Sequence, residues 1–150
     1  MERNDLIFLG KALSEARKAL EIGEVPVGCV IVKDGNIISK GYNRRESEND
    51  PTAHAEIIAL RKAGKKLFDW RLENCDVYVT LEPCIMCAYA LILARVRRVI
   101  FGAVDERHGG VISLYNLLDD TRFNHRVKWI YEPSEECVNI LKEFFKKKRW

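Results

Sequence analysis

The sequence predicts an α/β fold, a mixed five-stranded sheet covered by about five helices, and three observations carry that prediction. Leu6, Leu9, Leu13, Ala16 and Leu20 recur at steps of three and four, with Lys11, Glu15, Lys18 and Glu21 between them. That is the pattern of an amphipathic helix, closing near Gly23. Val25 to Val32 and Ile37 to Tyr42 are rich in β-branched residues and flank Lys33-Asp34-Gly35-Asn36, whose Asp-Gly pair signals a hairpin. Val77 to Leu81, Cys84 to Ala94 and Val99 to Ala103 read as strand, helix and strand within 27 residues. Such a unit is a parallel crossover, right-handed by rule.

The other elements follow from the same signals. A helix is expected from about Thr52–His54 through Ile57 and Leu60 to Gly64, a helical stretch near Ser113 to Leu118, and a strand at Val127 to Tyr131. A last helix is capped by Ser134, with Glu135 and Glu136 in its first turn, where the helix dipole favours acid. No repeat, low-complexity stretch or spacer divides the chain, so residues 1–150 are expected to form one domain.

Composition excludes several classes. With 47% hydrophobic and 31% charged residues, 9 Gly and 4 Pro, the chain is neither disordered nor a collagen-like or coiled-coil rod. Apolar stretches such as Ala88 to Ala94 fall far short of the roughly 20 residues of a spanning helix, and the charged start Met1-Glu2-Arg3-Asn4-Asp5 is unlike a secretion signal. Five cysteines, an odd number, argue against a disulfide framework and for a reducing, cytoplasmic setting. The net charge of +3 is unevenly placed: Lys142 to Trp150 holds five basic residues and one acid, leaving the rest of the chain at −1. A basic end of this kind either attracts a phosphate backbone or complements the negative end of a last helix.

Chemistry concentrates in two motifs. Pro83 precedes Cys84-Ile85-Met86-Cys87, and proline suits the first position of a helix, so both thiols fall on one face of an opening turn. Alone, this pair fits a metal, a thioredoxin-like dithiol or two buried cysteines. His54-Ala55-Glu56 adds an imidazole and a carboxylate. Residues two apart on a helix diverge by about 200°, so His54 and Glu56 serve one centre only at a helix end, where Pro51-Thr52 places them. Two helix starts then point at one edge of the sheet, where ligands gather in open α/β folds. His54, Cys84 and Cys87 make three zinc ligands and leave the fourth tetrahedral position to water, the mark of a catalytic site. A closed structural site would need a fourth donor from His108, His125 or Cys75. Glu56 suits proton transfer better than ligation among soft donors. Cys29, Cys75 and Cys137 read as small buried apolar residues.

The pairing of His54-Ala55-Glu56 with Pro83-Cys84-Ile85-Met86-Cys87 resembles the signature of the zinc-dependent nucleobase deaminases. Glu24-Val25-Pro26-Val27-Gly28, Gly41-Tyr42-Asn43-Arg44, Asp50 to Glu56, Tyr78 to Cys84 and Asn124-His125-Arg126-Val127 are similar, in order, to the blocks of the bacterial tRNA adenosine deaminases of TadA type. That resemblance implies a three-layer cytidine-deaminase-like fold, one Zn2+ per subunit, a homodimer, and conversion of adenosine to inosine at the wobble position of a tRNA anticodon. It implies Glu56 as the catalytic proton carrier and His54, Cys84 and Cys87 as metal ligands. It also implies base contacts near Asn43, Pro26, Val27 and Ala55, and RNA contacts near Arg44, Asp105, Arg107, Asn124, His125, Phe145 and Arg149. The loop from Asp105 to Ser113 departs from the family pattern at Arg107, commonly Lys, and at Ile112, commonly Gly. A free-base or nucleoside deaminase acting on guanine or cytosine would share the metal chemistry, and an RNA-binding scaffold with structural zinc is the rival outside enzymes.

Overall fold

The computed structural model describes residues 2–148, so the RNA contact expected at Arg149 lies outside the described residues. The elements run α1 (Asp5–Glu21), β1 (Gly28–Lys33), β2 (Asn36–Tyr42), α2 (Ala55–Leu67), β3 (Cys75–Val79), α3 (Ile85–Leu93), β4 (Arg98–Phe101), a 3₁₀ turn (Leu117–Asp119), β5 (Lys128–Tyr131) and α4 (Glu135–Lys147). One five-stranded sheet has the order β2-β1-β3-β4-β5. β1 is antiparallel to both neighbours, and β3, β4 and β5 are parallel. The hairpin turn is made by Asp34 and Gly35, with φ of 51° and 77°, the left-handed pair that a two-residue hairpin favours.

Alternation along the strands sorts two faces. Cys29, Ile31, Val77, Val79, Val99 and Phe101 pack with Ala55, Ala59 and Ala63 of α2 and Ala88, Leu91 and Ile92 of α3. Val30, Val32, Tyr78 and Ile100 face the other way and pack with Ala12 of α1. Leu13 and Ala16 of α1 meet Cys137 and Ile140 of α4. The result is helix pair, sheet, helix pair: three layers. Gly41 allows α2 to lie directly on β2, since a Cβ there would stand 2.5 Å from the Ala55 carbonyl oxygen. Cys29, Cys75 and Cys137 are buried, as expected. Among the described residues no helix is long and apolar enough to cross a membrane.

Three expectations are corrected. Among the described residues the sheet carries four α-helices rather than about five, because Ser113 to Leu118 forms turns and a single 3₁₀ turn. Its amides are committed elsewhere: those of Val111, Ile112 and Ser113 donate to the Glu82 carboxylate, and those of Leu114 and Leu117 to the Gly109 and Gly110 carbonyls. The first strand starts at Gly28 rather than Val25, because Pro26 has no N–H for the ladder and Val27 folds its own onto the Val25 carbonyl. Pro83 is not the first helical residue. Its carbonyl accepts from Gly110, Cys84 pairs with Gly109 in an extended bridge, and α3 begins at Ile85 with Cys84 as N-cap.

Candidate metal centre and active site

The site forms where β3 ends and α2 and α3 begin. His54 is the N-cap of α2 in extended conformation and Cys84 the N-cap of α3, its Sγ accepting from the Cys87 amide at 3.5 Å. Each helix therefore turns its positive end toward the same spot. His54 Nδ1 lies 3.6 Å from Cys84 Sγ and 3.5 Å from Cys87 Sγ. All three donor atoms fall within 4.8 Å of one another, and this trio can hold a metal ion. None of the candidate fourth donors joins it. Cys75 opens β3 at the far end of that strand, His125 Nε2 bonds the Val96 carbonyl oxygen, and exposed His108 faces Asp105.

Glu56, 4% exposed, occupies the second position of α2. Burial, reinforced by the charge on Cys84, pushes its carboxyl up to about 7. The bond from Cys87 and the neighbouring imidazole outweigh burial to bring the Cys84 thiol down to about 4. Cys87, holding its proton toward Cys84 and deeply buried, is pushed up, and His54 is raised chiefly by its contact with Cys84. Neighbours whose affinities for protons are driven apart in this way mark a site of proton chemistry.

The other sequence-predicted residues separate into groups. Pro26 and Val27 lie against Asn43, whose backbone N–H donates to the Val27 carbonyl. Asn43 Nδ2 donates to the Val25 carbonyl at 3.2 Å and its Oδ1 accepts from the Arg45 amide at 3.1 Å. The Arg44 amide bonds the Ala53 carbonyl, its guanidinium reaches Tyr42 and Glu48, and Ala55 is fully buried at the start of α2. These residues form one wall beside His54. Asp105 and Arg107 stand on the loop that bridges Cys84, with Asp105 Oδ1 accepting from the Arg107 and His108 amides. Exposed Phe145 borders an apolar groove of about 490 Å³ with Ala103, Val104, Val138 and Leu141, next to Asp105 in the chain. Asn124 and His125 do not join the site. His125 is tied to Val96, which precedes β4, so both sit at the edge of the sheet where the parallel strands begin.

Sequence reasoning missed two buried acids, Glu24 and Glu82. Burial would raise both, yet the Ser47 hydroxyl and amide on Glu24, and the Ser113 hydroxyl and several loop amides on Glu82, hold each below the usual carboxylate value. The available signal was an acid in each of two otherwise apolar blocks, Glu24 before Val25-Pro26-Val27 and Glu82 between Leu81 and Pro83.

Three donors that can hold a metal ion and a buried carboxylate, at the helix starts of a three-layer α/β fold, are the arrangement of a hydrolase of the deaminase type. A family model described as MafB19-like deaminase matches residues 3–149. The tRNA-specific adenosine deaminase of Aquifex aeolicus (strain VF5) is 58% identical over 142 residues, 95% of this chain and 94% of that protein. This chain therefore belongs to the MafB19-like deaminase family and groups with the tRNA-specific adenosine deaminases. Among solved structures, one from biochemical and structural studies of A-to-I editing by tRNA:A34 deaminases at the wobble position of transfer RNA aligns at TM-score 0.86. It is 43% identical and covers 91% of this chain and 99% of that one. The guanine deaminase of Bacillus subtilis aligns at TM-score 0.65 with 31% identity, covering 97% and 95%.

Proposed function

We propose that this chain is a zinc-dependent hydrolase that converts adenosine to inosine at the wobble position of a tRNA anticodon, releasing ammonia. The observation that carries the reading is the trio His54, Cys84 and Cys87 with Glu56 buried beside it. Zinc bonds of about 2.3 Å to sulfur and about 2.0 Å to nitrogen at a tetrahedral angle place S and N about 3.5 Å apart. The separations of 3.6 and 3.5 Å match that edge. Zinc bound there would act as a Lewis acid and lower the pKa of a water in the fourth position.

The chain's own groups supply the rest. Glu56, with its carboxyl near 7, takes a proton from the attacking water, delivers it to purine N1 as C6 is attacked, and passes a proton to the departing amino group. Adenosine and water become inosine and ammonia. An amide has two N–H donors and two acceptor lone pairs. Asn43 spends one of each on Val25 and Arg45, which leaves one of each for a purine edge. Pro26, Val27 and Ala55 line the base pocket in this reading, and Arg44, Asp105, Arg107 and Phe145 meet the splayed loop. Asn124, His125 and Arg149 keep an RNA role only through a surface away from the metal centre or outside the described residues.

A homodimer and a cytoplasmic location belong to the same proposal. Ile85, Tyr89 and Leu93, spaced by four on α3, are all exposed, and such an apolar stripe is the kind of surface a second copy covers. Sedimentation at micromolar concentration is expected to give a dimer of about twice the 17.3 kDa chain; a monomer contradicts that part. The activity is tested by incubating the purified protein with an unmodified anticodon stem-loop and detecting inosine. Inosine at the wobble position, with affinity falling steeply as salt rises, is expected. Salt-insensitive turnover of free guanine, with no product on RNA, points to a free-base deaminase instead.

A further inference from the structure

Both walls of the mouth are fastened by a buried acid that the chemistry does not use. Glu82 is 2% exposed and stands two residues before Cys84. Its Oε1 accepts from the Asp105 amide at 3.0 Å and the Ser113 hydroxyl at 2.5 Å. Its Oε2 accepts from the amides of Val111, Ile112 and Ser113 at 3.1, 2.8 and 3.0 Å. The loop closes so tightly that a Cβ on Gly109 would stand 2.3 Å from the carboxylate. The same loop returns to the metal-binding strand end through Gly110 N–H to the Pro83 carbonyl at 2.8 Å and the Cys84–Gly109 bridge. One side chain thus ties Asp105 and Arg107 to the backbone of Cys84.

Glu24, 1% exposed, does the same across the mouth. Its Oε1 accepts from the Glu46 amide at 3.1 Å, and its Oε2 from the Ser47 amide and hydroxyl at 2.6 and 2.5 Å. It thereby joins the segment of Pro26 and Val27 to the segment of Asn43 and Arg44, whose amide reaches the Ala53 carbonyl just before His54. In both cases every hydrogen-bond donor is a backbone N–H or a serine hydroxyl. These carboxylates hold loops, and each held loop adjoins a metal-binding residue.

We infer that Glu82 and Glu24 are positioning residues that pre-order the two RNA-facing walls, an inference that rests on the deaminase reading. A loop ordered before the substrate arrives does not have to be ordered by it, so the acids act on substrate capture more than on the chemical step. The test uses the full-length, zinc-loaded chain with an anticodon stem-loop. Glu82→Gln and Glu24→Gln keep size and remove the charge. Each is expected to retain its zinc, to raise KM about tenfold, and to change kcat by less than about threefold. Wild-type KM in the folded, zinc-loaded Gln variants would overturn the inference, as would a loss confined to kcat. Where the Gln variants do not fold, Ser113→Ala and Ser47→Ala remove one donor each and are expected to raise KM about twofold to threefold; unchanged KM in both overturns it. Amide hydrogen exchange supplies a readout without turnover. Exchange at least about tenfold faster, confined to residues 46–47 in the Glu24 variant and to residues 105 and 111–113 in the Glu82 variant, is expected, and unchanged exchange overturns the inference. Failure of the wild-type protein to form inosine contradicts the deaminase reading, whereas normal wild-type turnover beside unaltered variants contradicts only the positioning role.

Discussion

Buried charge gathers at both edges of the sheet, and the two clusters are built on opposite plans. Where β3 and β4 begin, Arg98 reaches Asp5 at 2.9 and 3.0 Å and Asp76 at 2.8 Å, Tyr78 donates to Asp5, and Arg97 bonds Asp76 and Glu2. Every acid there has a cation. Where β3 ends, no guanidinium or ammonium among the described residues is bonded to the buried Glu56, and burial pushes it up to about 7, beside a thiol brought down to about 4. The paired edge fastens α1 to the sheet. The other edge drives the proton affinities of neighbouring groups apart and brings that of Glu56 near neutrality, and is therefore where proton chemistry belongs. Stability and reactivity both draw on buried acids; what differs is whether a guanidinium is bonded to them.

Substitutions at the two edges are expected to have opposite consequences. The largest effect is expected from Glu56→Gln, which removes the proposed proton carrier and is expected to lower turnover by about 100-fold to 10,000-fold. Because burial opposes the Glu56 charge, the same change is expected to leave thermal stability equal or higher, which calorimetry beside a turnover assay checks. Arg98→Met does the reverse. It leaves Asp5 and Asp76 without their shared cation and is expected to cost about 3–5 kcal/mol in denaturant unfolding, with kcat of the folded protein unchanged.

A smaller effect is expected from pH. Burial would raise Asp5, but its bonds from Arg98 and Tyr78 outweigh this and hold it at about 2, below the ordinary 3.8. A folded-state value below the unfolded one stabilises above about pH 4 and loses that stabilisation as pH falls toward 2, about 2 kcal/mol in all. Unfolding free energies between pH 5 and 2 check it, and Asp5→Asn is expected to flatten that part of the dependence. The smallest effect calibrates the others. Ser134 caps α4 through the Cys137 amide at 3.2 Å and takes part in neither cluster, and Ser134→Ala is expected to cost about 1 kcal/mol without altering turnover.

Local signals in the sequence carried much of this. Asp34-Gly35 placed the hairpin, Ser134 the start of the last helix, and the spacing of His54, Glu56, Cys84 and Cys87 the candidate centre, because turns, caps and helix faces are set within a few residues. The signals failed where partners are distant or anonymous. Arg98 and Asp5 lie 93 residues apart, and no local pattern announces the pair. Glu82 and Glu24 bond backbone amides, which every residue has, so nothing in their partners' side chains marks the contact. The helix expected over Ser113 to Leu118 gave way for the same reason, since the Glu82 carboxylate draws off the amides at its start. Asn124 and His125 fell to the far edge because their block follows the crossover, and chain order alone does not say which end of the sheet a loop reaches.

X-ray absorption at the zinc edge of the purified protein reads the proposed His54, Cys84 and Cys87 centre itself. Two sulfur neighbours at about 2.3 Å and two nitrogen or oxygen neighbours at about 2.0 Å, one of them exchangeable solvent, are predicted. A shell completed by a fourth protein donor, or no zinc and a disulfide between Cys84 and Cys87, would contradict it.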